Sequence, residues 1–135
     1  MNKKIYIASS LKNYKRIIEL REKFLKLGVE LTYDWAESYK NVVEKGAKTE
    51  ETDLQLSRIA EEEWQAVRRC DVLLFVNPAG RGAHVELGMA YALGKPIVIL
   101  DETGGKEKIA FHLLFSIQRN ESEEDAIKDV LRLLG

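Results

Sequence analysis

Asp71-Val-Leu-Leu-Phe-Val-Asn77 runs directly into Pro78-Ala-Gly-Arg-Gly82 and then into Ala83-His-Val-Glu-Leu-Gly-Met-Ala-Tyr-Ala-Leu93, and the fold is read from this stretch. A continuous apolar run of strand length, bounded by a turn, is what a strand covered on both faces of a parallel sheet requires. The segment after the turn has helical length and scarcely a polar group beyond Glu86, His84 and the Tyr91 hydroxyl, so a helix covered all round is expected over Ala83–Leu93, closed by Gly94. Pro96-Ile-Val-Ile-Leu100 follows as a second buried strand, and strand, helix, strand is the repeating unit of an α/β sheet.

The same alternation extends outward in both directions. Lys4–Ser9 reads as a short strand ended by small polar residues, and Lys12–Leu27 as a helix with Ile17, Leu20, Phe24 and Leu27 on one face before Gly28. Val29–Tyr33 is a second strand. Asp34–Thr52 shows no clear period and is expected to be a loop or mobile flap, followed by a helix from about Glu51 to Arg69. Beyond Gly104-Gly105, Lys106–Leu114 predicts a short helix, Phe115–Arg119 a fifth strand, and Ser122, with Asp125 three residues on, the cap of a last helix. The expectation is a single α/β domain over 1–135, a flavodoxin-like, doubly wound, five-stranded parallel sheet of order 2-1-3-4-5. In such sheets ligands bind beyond the carboxyl ends of the strands where the order reverses, so Ala8–Lys12 and Asn77–Gly82 should face each other across the site.

Composition narrows the function. Lys and Arg number 21 against 22 Asp and Glu, a net charge of −1 that offers no electrostatic reason to hold a nucleic acid backbone. The longest apolar runs, Val72–Val76 and Pro96–Leu100, are far shorter than a membrane span, and Met1-Asn-Lys-Lys4 leads into a strand rather than a signal segment; no membrane partner and a cytoplasmic location are expected. Cys70 is the only cysteine and the histidines are His84 and His112 alone, so neither a disulfide nor a metal site is expected, nor any bound cofactor.

Two carboxylates fall where apolar residues belong. Glu86 sits beside Gly82, Met89, Ala90 and Leu93 on a helical wheel, and Glu63 lies within the stripe formed by Leu56, Ile59, Ala60 and Val67. For Glu86, a place in the first helical turn is expected to favour the ionised form against desolvation, as a nucleophile needs, although a first-turn glutamate also arises from dipole stabilisation alone. Glu63 has its own ordinary explanation in an unseen Lys or Arg partner. If both reach one cleft, glycosyl transfer uses them most naturally: one attacks an anomeric carbon while the other handles the leaving-group proton. Tyr6, near the carboxyl end of the first strand, would hold a carboxylate rotamer or else pack as a strand aromatic.

Gly80 and Gly82 form most of a G-x-G-x-x-G turn between strand and helix, which lets a ligand approach the backbone, and Asp101 lies 19 residues beyond Gly82. That spacing keeps a nucleotide-binding module without catalysis in play. Ser9, Ser10 and Asn77 lie on the facing loops, Lys12, Arg81 and His84 are the cations available to a phosphate, and Trp35 either stacks a base or caps the core edge.

Gly80-Arg-Gly-Ala-His-Val-Glu86-Leu-Gly-Met-Ala-Tyr-Ala-Leu-Gly-Lys-Pro96, with Ile5-Tyr6-Ile-Ala-Ser9, resembles the nucleoside 2-deoxyribosyltransferase family over nearly the whole chain. The resemblance implies that Glu86 is the nucleophile, that Tyr6 orients it, and that Glu63 contacts base or sugar where Asp is commoner. It implies small nucleoside or nucleotide substrates and a homodimer or higher homo-oligomer; His112, which has no carboxylate pattern beside it, reads as packing or else reaches a neighbouring subunit's site in that oligomer. The family holds transferases that pass 2-deoxyribose between bases and hydrolases of deoxynucleoside 5′-monophosphates. Lys12 resembles the hydrolase branch, but Gly80 stands where that branch has a phosphate-binding serine. Transfer through a glycosyl-Glu86 intermediate is the expectation, with monophosphate hydrolysis and NAD glycohydrolysis as alternatives.

Overall fold

The computed structural model describes residues 3–44 and 52–135. Five strands, β1 (Lys4–Ala8), β2 (Glu30–Leu31), β3 (Val72–Val76), β4 (Ile97–Leu100) and β5 (Gln118–Asn120), form one sheet of order β2-β1-β3-β4-β5. Every neighbouring pair is parallel, with Ile5 opposite Val72 and Leu73 opposite Ile97. All of β3 and β4 is buried, which is why both read as unbroken apolar runs.

The helices are α1 (Tyr14–Lys26), α2 (Trp35–Glu44), α3 (Asp53–Arg69), α4 (Arg81–Ala92) and α5 (Glu123–Leu134). α3 and α4 pack against each other and against β1. α5 packs on β3, β4 and β5 and is tied to α1 by ion pairs from Arg16 and Lys23 to Glu123. α1 and α4 stop in the same way: Gly28 and Gly94 adopt φ of 78° and 72°, and the following Val29 and Lys95 N–H groups return to Phe24 and Ala90 carbonyls. Each strand therefore begins at once after its helix.

Five expectations are corrected. Asp34–Thr52 is not a loop throughout, because α2 occupies Trp35–Glu44; residues 45–51, including the expected start of the next helix at Glu51, lie outside the described residues. The missed signal is Asp34-Trp-Ala-Glu37, a cap sequence in which the Asp34 carboxylate accepts the Glu37 N–H at 3.3 Å. α1 starts at Tyr14 behind a 3₁₀ turn over Leu11–Asn13, and Leu27 at its end is exposed. In α3 only Ala66 and Val67 are buried, while Leu56 and Ala60 are exposed. Its 17 residues span roughly 25 Å against roughly 17 Å for a five-residue strand, so the first turns overshoot the sheet. α4 is not covered all round: Val85, Tyr91 and Leu93 are exposed in the single chain. Finally, Lys106–Leu114 contains only a 3₁₀ turn, Ala110–Leu113, and β5 starts at Gln118 because Ser116 takes φ 77°, a left-handed conformation no strand accepts.

Among the described residues no helix is long and apolar enough to cross a membrane, and no group of three or more His, Cys, Asp or Glu is placed to hold a metal ion.

Candidate active site

The carboxyl ends of β1 and β3 open into a cavity of about 450 Å³ at the point where the strand order reverses. Its walls come from the two loops predicted to face each other. Ser9 Oγ donates to Val76 O at 2.8 Å and Ser10 N–H reaches Pro78 O at 3.4 Å, so the loop after β1 is fastened to the loop after β3. Ser10 also caps the Leu11–Asn13 turn by accepting the Lys12 N–H. Both serines and Lys12 line the cavity.

Glu86 forms the floor. It projects from α4, is buried to 7% exposure, and its Oε2 accepts a 2.5 Å hydrogen bond from the hydroxyl of Tyr6, itself buried on β1. Glu63 reaches the same cavity from α3, and the two carboxyl groups influence each other's ionisation. Two neighbouring buried carboxyl groups resist ionising together, so the pair favours one proton and one negative charge. Burial is the main cause: it pushes Glu86 up to about 9, with Glu63 adding repulsion and the Tyr6 bond opposing, and it raises Glu63 as well. Burial and the facing carboxylates likewise raise the Tyr6 phenol, which stays protonated and can only donate to an anionic Glu86.

Glu86 is not in the first helical turn. α4 begins at Arg81, so Glu86 lies in the second turn and no acidic residue occupies the first. The helix end does not hold it ionised; the Tyr6 hydroxyl is the group that favours its charge.

The rim has the opposite polarity. α4 opens at Gly80, whose lack of a side chain leaves no side-chain cap on the first turn, and Arg81, Gly82 and Ala83 of that turn line the cavity. Lys12 and Arg81, both on the cavity wall, form no ion pair among the described residues. Gly80 and Gly82 have no need of glycine in the free chain: neither has a positive φ, and a Cβ added to either would meet nothing within 4 Å. Trp35 lines the cavity while its indole N–H donates to Ile7 O at 2.7 Å, which ties the ring to the core edge.

Ser9, Ser10, Lys12, Trp35, Glu63, Gly80, Gly82, Glu86 and Tyr6 are thus brought together around one cavity. Asn77 and His112 are not among its walls. Asn77 is buried at the end of β3, and His112, 1% exposed, bonds His84. Asp101, the residue a dinucleotide fold would turn toward a ribose, accepts from the Thr103 N–H and hydroxyl beyond β4, outside this cavity. Tyr39 lines the cavity and had no signal of its own, since it belongs to the helix that periodicity missed.

The sequence profile of the nucleoside 2-deoxyribosyltransferase family matches residues 5–122. The chain belongs to that family. As a member of the nucleoside 2-deoxyribosyltransferase family it is an enzyme of N-glycosidic bonds in small nucleoside or nucleotide substrates. Among solved structures, the CMP N-glycosidase BcmB of Clostridium botulinum is similar to it, with a TM-score of 0.62 and 20% identity over 95% of this chain and 98% of that one. At that identity the likeness is one of fold. No curated protein sequence matches the chain.

Proposed function

We propose that this family member transfers 2-deoxyribose between nucleobases through a covalent glycosyl ester on Glu86. The observation that carries the reading is the buried Tyr6–Glu86–Glu63 cluster on the cavity floor. One Glu86 oxygen is held by the Tyr6 hydroxyl and the other attacks C1′ on the face opposite the base. As the C1′–N bond breaks, its electron pair leaves with the base, and the proton shared by the carboxyl pair passes through Glu63 to the base nitrogen. A second base then attacks C1′, expels the Glu86 carboxylate and returns a proton to Glu63. The bare backbone at Gly80 and Gly82 lets the ligand pack against the first turn of α4.

A second reading has its own support. Lys12, Arg81 and the uncapped first turn of α4 place positive charge at the cavity rim, which suits a substrate 5′-phosphate. Here water replaces the second base as acceptor, making the enzyme a deoxynucleoside 5′-monophosphate N-glycosidase. Gly80 supplies no hydroxyl to that phosphate, so the cations and backbone N–H groups would hold it alone.

One incubation divides the readings. Deoxynucleosides, deoxynucleoside monophosphates and NAD are each supplied with and without a second free base, and the products are separated by chromatography. New nucleoside that depends on the added base supports transfer, and free base with sugar phosphate supports hydrolysis. Tight nucleotide binding with no product from any substrate overturns both.

A further inference from the structure

His84 and His112 are absent from the mechanism above, yet they form a continuous hydrogen-bonded chain ending at the cavity wall. His84 Nδ1 lies 2.8 Å from Gly80 O, His84 Nε2 lies 3.0 Å from His112 Nε2, and His112 Nδ1 lies 3.3 Å from the Ile109 backbone nitrogen. The rings stack within 10° of parallel, and each packs against Phe75 of β3 at 5.0 Å. The partners assign the protons. A carbonyl only accepts and a backbone N–H only donates, so His84 carries its proton on Nδ1 and His112 on Nε2. Each interior nitrogen is then satisfied, and neither ring carries charge.

We propose that His84 and His112 are positioning residues for the glycosidic reaction: as a neutral pair they clamp the Gly80 carbonyl, set the turn that packs against the substrate, and release it when either imidazole is protonated. A second proton on His84 sets N–H against N–H at the 3.0 Å contact, and one on His112 sets its Nδ1–H against the Ile109 N–H at the 3.3 Å contact. The groups facing the pair are Asp101 at the end of β4, which favours a charged His112, and Arg119 of β5, which opposes it; Phe75 contributes only a ring. Burial, with His84, holds His112 below the ordinary imidazole value. The clamp is therefore closed at neutral pH and opens on acidification. Gly80 takes part through its carbonyl, so the device sets substrate binding rather than the bond-breaking step.

The proposal rests on the reading of the cavity as the substrate site, and its test has an arm that needs no substrate. Imidazole ¹⁵N spectra of the free protein should show His84 as the Nδ1–H and His112 as the Nε2–H tautomer at neutral pH, both changing together on acidification. Opposite tautomers, or independent titration, overturn the clamp whatever the enzyme does. With the substrate identified by the incubation above, the parent's KM should rise between about pH 7 and about pH 5 while kcat changes less. His112→Phe keeps the stacking but loses the donor, and should raise KM about fivefold at neutral pH, the worth of one hydrogen bond. His112→Gln should restore KM and flatten its acid rise, because an amide can turn its oxygen toward a protonated His84. A KM that ignores both substitutions and pH overturns the positioning role. Should His112→Phe fail to fold, the tautomers and the Gln pH profile decide. Correct tautomers in a protein that cleaves no glycosidic bond leave the clamp standing and remove the proposed reaction.

Discussion

The Tyr6 hydroxyl donates to Glu86 Oε2 across 2.5 Å, joining the first strand to the fourth helix 80 residues further along the chain. It is the contact that favours charge on a carboxyl which burial and Glu63 both disfavour. Tyr6→Phe removes that donor with little change in packing. A hydrogen bond to a charged group contributes about 1.5–3 kcal/mol, so kcat should fall roughly 10- to 100-fold with KM within a few-fold. Steady-state kinetics on a purified, folded variant check this, and an unchanged kcat would remove Tyr6 from the mechanism.

The carboxyl pair works with one proton. Glu86 is raised to about 9 and Glu63 is raised beside it, so activity should decline as pH climbs toward that value and the shared proton is lost. Glu63→Gln removes the proton donor and should lower kcat by about 10²–10⁴, the usual contribution of a general acid. It should also abolish the alkaline limb, since no shared proton remains to be lost. Full kcat with the parent's limb in that variant would contradict the proton's route.

The same shift makes a stability prediction whose sign can be worked out. The folded protein keeps the proton shared by Glu86 and Glu63 from about 4.5, the ordinary carboxyl value, up to about 9, whereas the unfolded chain has lost it. The parent's stability therefore falls as pH rises across that window and is level on either side. Glu86→Gln removes the titration while its amide oxygen still accepts from Tyr6. Relative to the parent it should gain more than about 1.4 kcal/mol at pH 8, the equivalent of one pKa unit, and nothing at pH 4. Urea unfolding at the two pH values measures the difference, and equal shifts at both would argue against a buried proton.

Much of this is legible in the sequence, for particular reasons. β3 and β4 stood out because burial on both faces leaves no polar residue in them, and their chain positions dictate the strand order. Glu63 and Glu86 stood out as charges on apolar helical positions, though Leu56 and Ala60, half of the stripe used to place Glu63, are exposed. α2 was invisible because it buries only Trp35 and Ala36, too short a stripe to show a period. The proton shared between the carboxyls was out of reach too, since it depends on how closely α3 and α4 approach.

Glycines 80 and 82 divide structure from function. Gly82 lies in the first turn of α4 and has open space where a Cβ would stand, so Gly82→Ala should stabilise the protein by roughly 0.5–1 kcal/mol through helix propensity. The added methyl occupies the wall against which the ligand packs, so KM should rise by about tenfold, equivalent to about 1.4 kcal/mol. Thermal unfolding and KM on one preparation test both signs, and a stabilised variant with unaltered KM would mean that the ligand does not touch this turn.

The central claim is a bond between Glu86 and a sugar. Incubation with a 2-fluorinated deoxynucleoside, whose fluorine slows formation of the oxocarbenium-like transition state, followed by proteolysis and mass spectrometry, looks for that bond directly. The account predicts one added fluorodeoxyribosyl group on the peptide containing Glu86, absent from Glu86→Ala and lost on adding a free base. Catalytic turnover of the natural substrate by Glu86→Ala near the parent's rate, or the sugar attached to any other residue, would contradict it.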